Sequence, residues 1–237
     1  MEKYKIIANS IRKRIIEGDY VSDQKLPSEK EMGDEFAASK LTVKKALDIL
    51  VGEGLIIKRR GAGTFVKSLS VEDRERLIVD NQMRGTTAFN PDKKVTSKVL
   101  SFSVVQASQL VSRKLNLTEG SPVYEIYRVR LVDGNPTVIE KTYMPIDVIL
   151  GLTKTDVEGS IYEYIEEKLG LRIQSGHRTI SVRKATDFEA DELALEYGDP
   201  VGIAEQIGYL NTGVQFEYSI SVHRYDQFSV EMMVTHY

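Results

Sequence analysis

Two capped helical patterns, separated by a short turn, constrain the fold of this chain more than any other feature. Ser28 precedes Glu31 at the spacing of a capping box, so a helix is expected from about Ser28 to Phe36. Ser39 is a second N-cap. Apolar residues then recur at helical spacing, at Val43, Ala46, Leu47, Leu50 and Val51. These patterns predict a second helix from about Lys40 to Glu53.

A short β-hairpin is predicted directly after the second helix. Gly54 stands where a left-handed C-cap residue is expected, and the apolar run Leu55–Ile57 begins a strand. The chain then turns at Arg60–Gly63 and returns through Thr64–Val66. Helix, turn, helix and two-stranded wing together predict a winged helix-turn-helix, which is a fold that binds double-stranded DNA.

The start of the second helix is the part that would reach base edges in the major groove. Lysines there can contact guanine or phosphates, and Ser and Thr hydroxyls can bond either. The alternative is a solvated basic face, against which the capped partner helix and the glycine-rich wing both argue. The predicted DNA-binding residues are Ser28, Lys30, Ser39, Lys40, Thr42, Lys44, Lys45, Arg60, Gly61 and Gly63.

Charge is divided unevenly along the chain. The formal net charge is −3, but residues 1–70 hold 14 Lys and Arg against 10 Asp and Glu, and the remainder holds 18 against 25. The basic end suits phosphate, and the acidic remainder limits non-specific adhesion. With no cysteine and three scattered histidines, neither a metal site nor a cofactor is expected. No apolar run is long enough to span a membrane, so a cytoplasmic protein is predicted.

The chain divides by pattern into three parts. Residues 1–69 form the DNA-binding domain, residues 70–94 a polar linker with a ligand-contacting loop, and residues 95–237 a domain of alternating strands and helices. Consecutive hairpins predict a mainly antiparallel sheet with flanking helices, so the fold class is α+β. Strands are expected at 97–105, 123–131, 137–144, 173–183, 201–209, 214–225 and 228–234, and helices at 108–115, 160–169 and 188–195.

A partial internal repeat supports this arrangement. Leu115, Gly120, Pro122 and Val123 recur 78 positions later as Leu193, Gly198, Pro200 and Val201, each time between a helix and a long hairpin. This recurrence predicts a duplicated unit. The copies differ at two positions, because Arg128 and Arg130 of the first become Gln206 and Gly208 in the second.

That difference indicates an anion site. Residues two apart on a strand share a face, so Arg128 and Arg130 project together. If the following turn is Asp133–Asn135, Arg128 lies opposite Glu140, and two cations with one carboxylate suit a phosphate or carboxylate ligand. The loop Arg84–Phe89, with its cation, glycine and two hydroxyls, is a second candidate anion holder. The alternative for the arginine pair is an exposed strand face.

The first part of the chain resembles the N-terminal domain of GntR-type bacterial transcription regulators over about residues 3–67. The resemblance lies in 26–30 (LPSEK), 39–47 (SKLTVKKAL), 53–56 (EGLI) and 61–66 (GAGTFV). In that family, arginines usually read bases at the places held here by Lys30, Lys40 and Lys44, and lysine lacks their planar fork. The resemblance also implies that the wing glycine enters the minor groove.

The remainder, from about Val95 to Val234, resembles the UTRA ligand-binding domain of the HutC branch of these regulators, which is related in fold to chorismate lyase. The matching pieces include Tyr127–Arg130, Glu140–Tyr143, Ser160–Tyr162 and Glu217–Ser221. With the loop, the implied effector-binding residues are Arg84, Thr86, Thr87, Phe89, Arg128, Arg130, Glu140, Ser160, Tyr162, Glu217 and His223. Relatives that bind phosphosugars often carry Tyr where His223 stands.

Together these interpretations predict a ligand-responsive transcription regulator. We expect a repressor that binds double-stranded operator DNA as a homodimer and whose affinity is changed by a small anionic effector, with no catalytic residues. Two operator half-sites that lie one helical turn apart require two DNA-binding domains. One alternative is an enzyme whose chorismate-lyase-like domain is fused to a nucleic-acid-docking module, in which Glu140, Glu217 and His223 serve acid–base chemistry. An RNA-binding winged helix is the other, although no aromatic stacking platform accompanies the basic residues.

Overall fold

The computed structural model describes residues 2–68 and 85–230, and the chain divides into two compact units. The N-terminal unit is a winged helix-turn-helix, as predicted. Its elements are α1 (Lys3–Glu17), α2 (Glu29–Glu35), α3 (Lys40–Gly52), β1 (Ile56–Arg59) and β2 (Gly63–Val66). Ile7, Ile11 and Ile15 of α1 are buried against Leu47 and Leu50 of α3, so one helical face of each forms the core. Of the predicted α3 face, Val51 is only half-buried.

The C-terminal unit is built on a six-stranded antiparallel sheet in the order β3-β4-β5-β8-β7-β6. The strands are β3 (Val95–Gln106), β4 (Pro122–Val132), β5 (Asn135–Pro145), β6 (Ile173–Lys184), β7 (Pro200–Leu210) and β8 (Gln215–Arg224). The helices are α4 (Gly85–Ala88), α5 (Gln109–Leu115), α6 (Lys154–Glu158), α7 (Ile161–Glu163) and α8 (Asp187–Leu193). A π-helical turn, Tyr164–Lys168, continues α7, and a 3-10 turn, Tyr225–Gln227, follows β8.

The predicted duplication extends through whole elements. β3, α5 and β4 recur as β6, α8 and β7, and each first residue of the second set lies 78 positions after its counterpart. The last residue before each left-handed C-cap is a buried leucine, Leu115 in α5 and Leu193 in α8. The sheet order is therefore symmetric about the junction between β5 and β8.

The two faces of the sheet are covered differently. Helices α5 and α8 cover one face, where Val123 and Val129 of β4 are buried. On the opposite face Ile126 of β4 joins a cluster with Val157, Ile161 and Ile165 of the α6–α7 segment. Because successive residues on a strand point to opposite faces, Arg128 and Arg130 share the face of Ile126.

Several predicted elements differ from the structure. The loop predicted at Arg84–Phe89 contains the short helix α4, and α6 was not predicted at all. The helix predicted over 160–169 changes to a π-helical turn after three residues. Of the strand predicted at 228–234, residues 228–230 are not extended into a strand, and the rest lie outside the described residues.

The register of the β4–β5 hairpin agrees with the prediction, but the turn that produces it differs from the predicted three-residue turn. Arg128 pairs with Glu140 and Arg130 with Val138, as a three-residue turn would require. The turn itself contains only Asp133 and Gly134, both with positive φ, and Val132 pairs with Asn135. A bulge after Arg130 restores the register.

Candidate functional site

The N-terminal unit has an open groove between the starts of α2 and α3 and the turn of the β1–β2 wing. Its lining includes Ser28, Lys30, Lys40, Gly61 and Gly63. These predicted DNA-binding residues therefore share one surface, with cations on the helical side and glycine backbone on the wing side.

Serine hydroxyls hold the starts of both helices. Ser28 Oγ accepts a hydrogen bond from the Glu31 N–H at 3.2 Å, and the Glu31 carboxylate accepts one from the Ser28 N–H at 2.7 Å. Ser39 Oγ accepts from the Thr42 N–H at 3.2 Å and lies 2.8 Å from Thr42 Oγ1. Replacing such a cap by Ala lowers stability by about 0.5–2 kcal/mol. These hydroxyls therefore stabilise the N-terminal unit whether or not they contact DNA.

The basic residues differ in how far they are available to a ligand. Lys30 and Lys44 are exposed, and Lys40 is exposed with its Nζ 3.9 Å from the Glu29 carboxylate. Lys45 Nζ lies 3.7 Å from the centre of the Tyr4 ring, a cation–π contact that holds α3 against α1. Arg60 is exposed at the wing turn. Lys45 therefore has a structural role that the other basic residues of this set do not show.

The wing turn depends on glycine. Gly61 and Gly63 have φ values of 75° and 118°, a region that residues with a Cβ rarely adopt. A Cβ on Gly63 would lie 2.8 Å from Lys25 Cε, because Lys25 pairs with Phe65 beside the wing. Lys25 also lines the groove. The sequence did not indicate Lys25, because a residue that forms only an isolated β-bridge leaves no periodic pattern.

In the C-terminal unit the predicted arginine pair is buried and connected to a carboxylate. Arg128 Nε donates to Glu140 Oε2 at 2.8 Å, and its Nη1 donates to the Val157 carbonyl at 2.6 Å and the Gly159 carbonyl at 3.0 Å. Only 7% of Arg128 and 2% of Arg130 is exposed. The alternative of an exposed strand face is therefore wrong, and the pair connects the sheet to the α6–α7 segment.

Arg130 completes this arrangement with three oxygen partners and one unsatisfied donor. Its Nη1 donates to Ser97 Oγ at 2.8 Å and to the Gly159 carbonyl at 2.6 Å, and its Nη2 donates to Thr87 Oγ1 at 2.6 Å. Arg128 also contacts the Gly159 carbonyl, so both cations share that acceptor. In the described part of the chain, Arg130 Nε is a buried donor without a partner. Because an unmade buried hydrogen bond is costly, the oxygen of a water or of a ligand would stabilise this donor.

The electrostatics of the arginine cluster combine two buried guanidinium groups with one largely buried carboxylate, Glu140. Burial and the Arg128 charge lower the pKa of Arg130 to about 10, so this guanidinium remains charged at neutral pH. Burial alone would raise the pKa of Glu140, but Arg128 and Arg130, with a hydrogen bond from Thr86 Oγ1, leave it lowered. Two cations thus face one carboxylate, while helix α4 supplies two hydroxyls to the cluster.

A second polar cluster lies on the same face of the sheet. The Tyr162 hydroxyl donates to the Glu217 carboxylate, and it accepts from Gln206 Nε2 at 3.0 Å. Arg178 Nε donates to Gln206 Oε1 at 2.9 Å. Burial raises the pKa of Glu217, and burial with the Glu217 charge raises the pKa of Tyr162. Sequence reasoning did not include Ser97 or Arg178, because these contacts join distant parts of the chain.

His223 lies on the same face under an aromatic ring. Its imidazole stacks on Phe228 with ring centres 4.4 Å apart, and the Phe228 ring occupies the space that a Cβ on Gly202 would need. Burial lowers the pKa of His223 to about 4, with a smaller opposing effect from Glu140. The imidazole is therefore neutral at neutral pH and can both donate and accept a hydrogen bond.

Two predicted effector-binding residues are not brought into these networks, and a third cannot be placed. Ser160 Oγ accepts from the Glu163 N–H at 3.3 Å and is the N-cap of α7. Phe89 is 52% exposed, and its ring has no place among the arginine contacts. Arg84 lies outside the described residues.

The buried histidine predicts a pH dependence of stability. An unfolded histidine takes up a proton near pH 6.5 but His223 does so only near 4, so the unfolded state binds more protons between these values. Stability should therefore fall as the pH falls from 7, by on the order of 2 kcal/mol at pH 5. Urea midpoints at pH 7 and pH 5 would show a smaller difference for His223→Gln than for the wild type.

His177→Gln, at an exposed histidine of β6, is the matched control and should behave as wild type. Equal pH sensitivity of all three proteins would contradict this reading of His223.

Comparisons with known proteins agree along the whole chain. The model for bacterial regulatory proteins of the gntR family matches residues 3–66, and the UTRA domain model matches residues 92–229. The chain is 41% identical over 230 residues to the HTH-type transcriptional regulator GmuR of Bacillus subtilis, covering 97% of both chains. It is 30% identical to the mannosyl-D-glycerate transport/metabolism system repressor MngR of Escherichia coli, over 97% of this chain and 95% of that one. The crystal structure of a possible transcriptional regulator, YydK from Bacillus subtilis, superposes with a TM-score of 0.80 at 29% identity, over 97% of this chain and 99% of that one.

Proposed function

Because the chain belongs to the GntR family of bacterial regulatory proteins and carries a UTRA domain, we propose that it is a repressor controlled by a small anionic effector. As a member of this family it is a DNA-binding transcription regulator. The alternative of an enzyme has no support, because the named relatives are regulators and repressors.

The observation that carries the effector proposal is the unpartnered Nε of Arg130. This donor is buried beside a second guanidinium and two threonine hydroxyls, in a cluster that holds two buried cations and one largely buried carboxylate. A phosphate or carboxylate oxygen would satisfy the donor and the charge together. The relative MngR is named for mannosyl-D-glycerate, a sugar derivative that bears a carboxylate, and this supports a sugar-related anion for the present chain.

The remaining features of the proposal follow from the same family. We propose a DNA-binding domain at residues 1–69, a linker at 70–94, and an effector-binding and dimerisation domain at 95–237. We also propose that the protein is a cytoplasmic homodimer. The groove lined by Lys25, Lys30 and Lys40 would receive the operator, with the wing glycines at the backbone. No helix in the described ranges is long and apolar enough to cross a membrane.

Operator reading by α3 predicts a sequence-specific loss in Lys44→Ala. Lys44 is exposed on the second turn of α3, one turn beyond the Ser39 cap. If it reads a base, the variant should lose about 1–3 kcal/mol on the operator and much less on random duplex. Fluorescence anisotropy on both DNAs at one salt concentration measures the two losses. Lys13→Ala, at a 72% exposed side chain of α1, is the control and should change neither. Equal losses on both DNAs would instead assign Lys44 to a phosphate.

Mass spectrometry of small molecules released from the purified protein tests the effector proposal directly. A recovered anion that rebinds and weakens operator binding supports it. A neutral ligand that does so would overturn the anionic class while leaving the regulator assignment intact.

A further inference from the structure

Leu41 is the most exposed large apolar side chain among the described residues, at 76%. A single exposed leucine needs no explanation by itself, since such residues are scattered over most protein surfaces. The position of this leucine does, because it is the second residue of α3, between exposed Lys40 and half-buried Thr42. The first turn of such a helix is the part that meets base edges in the major groove.

The helical period places Leu41 on the outermost line of α3. The opposite face is buried against the rest of the N-terminal unit and consists of Val43, Ala46, Leu47 and Leu50. Because each residue turns a helix by about 100°, Leu41 points almost directly away from that face. The exposed Lys40 and Lys44 lie beside it. When α3 enters the groove, Leu41 therefore faces the bases, and the two lysines reach guanine acceptors or phosphates next to it.

The charge pattern along the same line limits DNA contact to the start of α3. Asp48 follows Leu41 by seven residues, which is two turns or about 10 Å along the helix. Its carboxylate lies 2.6 Å from Lys58 Nζ of β1, and phosphate would repel it. The exposed line thus begins with an apolar group beside cations and ends with an anion, so charge complementarity with DNA favours the end that carries Leu41.

We propose that Leu41 reads the C5-methyl group of a thymine in each operator half-site. This inference rests on the operator binding of the proposed function and adds one base to what α3 recognises. In the major groove thymine presents a methyl group, whereas the characteristic groups of the other bases are hydrogen-bond donors and acceptors. Leucine has no side-chain atom that can form a hydrogen bond, so among these groups only the methyl offers it an apolar contact.

Deoxyuridine substitution tests this contact, because deoxyuridine pairs as thymidine does but lacks the methyl group. A duplex that the wild-type protein selects from a random-sequence library serves as the operator probe, and each of its thymines is replaced in turn. At one thymine in each half-site the wild-type affinity should fall by about three- to fivefold, the effect of losing one buried methyl group. Fluorescence anisotropy at one salt concentration measures the change.

Three variants assign the methyl contact to Leu41. Leu41→Ala should bind the selected duplex more weakly and should no longer distinguish thymine from deoxyuridine at that position. Leu41→Met keeps an apolar side chain of similar volume and should retain the difference. Val21→Ala is the matched control, since Val21 is 56% exposed in the segment between α1 and α2, and it should behave as wild type. Equal urea midpoints of the variants exclude a folding defect.

The results that would overturn the inference are separable from a failure of the proposed function. If the wild-type protein selects an operator but Leu41→Ala keeps its full sensitivity to every methyl group, Leu41 does not read thymine and operator binding still stands. The same conclusion follows if no methyl group affects the wild-type affinity. If the wild-type protein selects no sequence, operator recognition by α3 and this inference fail together.

Discussion

Arg128→Gln should lower the free energy of unfolding of the C-terminal unit by about 3–5 kcal/mol, because removing one partner of a buried ion pair strands the other charge. The stranded group is Glu140, whose carboxylate lies 2.8 Å from Arg128 and whose side chain is only 14% exposed. The change also removes the hydrogen bonds from Arg128 to the Val157 and Gly159 carbonyls. Urea unfolding followed by tyrosine fluorescence measures the effect.

A double-mutant cycle separates the stranded charge from the lost hydrogen bonds. Arg128→Gln with Glu140→Gln should lose less stability than the two single losses added together, because the lost ion pair is then counted once. The pH dependence provides a second check. Since Arg128 holds the pKa of Glu140 down, its removal should raise that pKa, and the difference from wild type should narrow as the pH falls and Glu140 becomes protonated. A variant within about 1 kcal/mol of wild type at pH 7 would show that the pair is dispensable.

Removing the two threonine hydroxyls of α4 should abolish the effector response. An effector normally changes affinity at a coupled site by roughly 5- to 150-fold. Thr86 donates to Glu140 and Thr87 accepts from Arg130, so both hydroxyls are placed to contact an anion held by the arginine pair. In Thr86→Val with Thr87→Val helix α4 can no longer make that contact. Operator affinity with and without effector should then be equal, while affinity without effector stays within about twofold of wild type.

The matched control for this variant is Thr96→Val, at an exposed threonine of β3. It removes a hydroxyl from the same unit but should keep the full response. Titration of labelled operator, with and without the recovered anion, measures all three proteins. A normal response in the double variant would mean that the coupling does not run through α4, whereas a loss of operator binding without effector would indicate a structural role for these hydroxyls.

Patterns of short range made the N-terminal unit predictable. Ser28 and Ser39 cap their helices as expected, since the capping signal lies within four residues of sequence. The alternation of β4 likewise placed Arg128 and Arg130 on one face. The pairing of Arg128 with Glu140 agrees with the prediction only because a bulge after Arg130 offsets the shorter turn. Helix α6 escaped prediction because five residues are too few to display a helical period.

Contacts between distant residues account for what the sequence could not reveal in the candidate site. The burial of Arg130 depends on Gly159 and Ser97, which lie 29 and 33 positions away. The neutral state of His223 depends on Phe228, which returns over the strand after the turn Tyr225–Gln227. Nothing in the local sequence around the arginines or the histidine reports these neighbours, so an exposed and a buried site were equally compatible with it.

The differences between the two halves of the duplicated sheet would also fix the orientation of a bound ligand. Two identical halves would offer an anion two equivalent ends, but the second half has Gln206 and Gly208 where the first has Arg128 and Arg130. At Gly208 a Cβ would lie 2.7 Å from the Phe216 ring, so the second half has no room for an arginine there. Its buried acid is Glu217, beside the Tyr162 hydroxyl. An elongated molecule charged at one end could therefore enter in a single direction, with its anionic end at β4 and its uncharged end at β8.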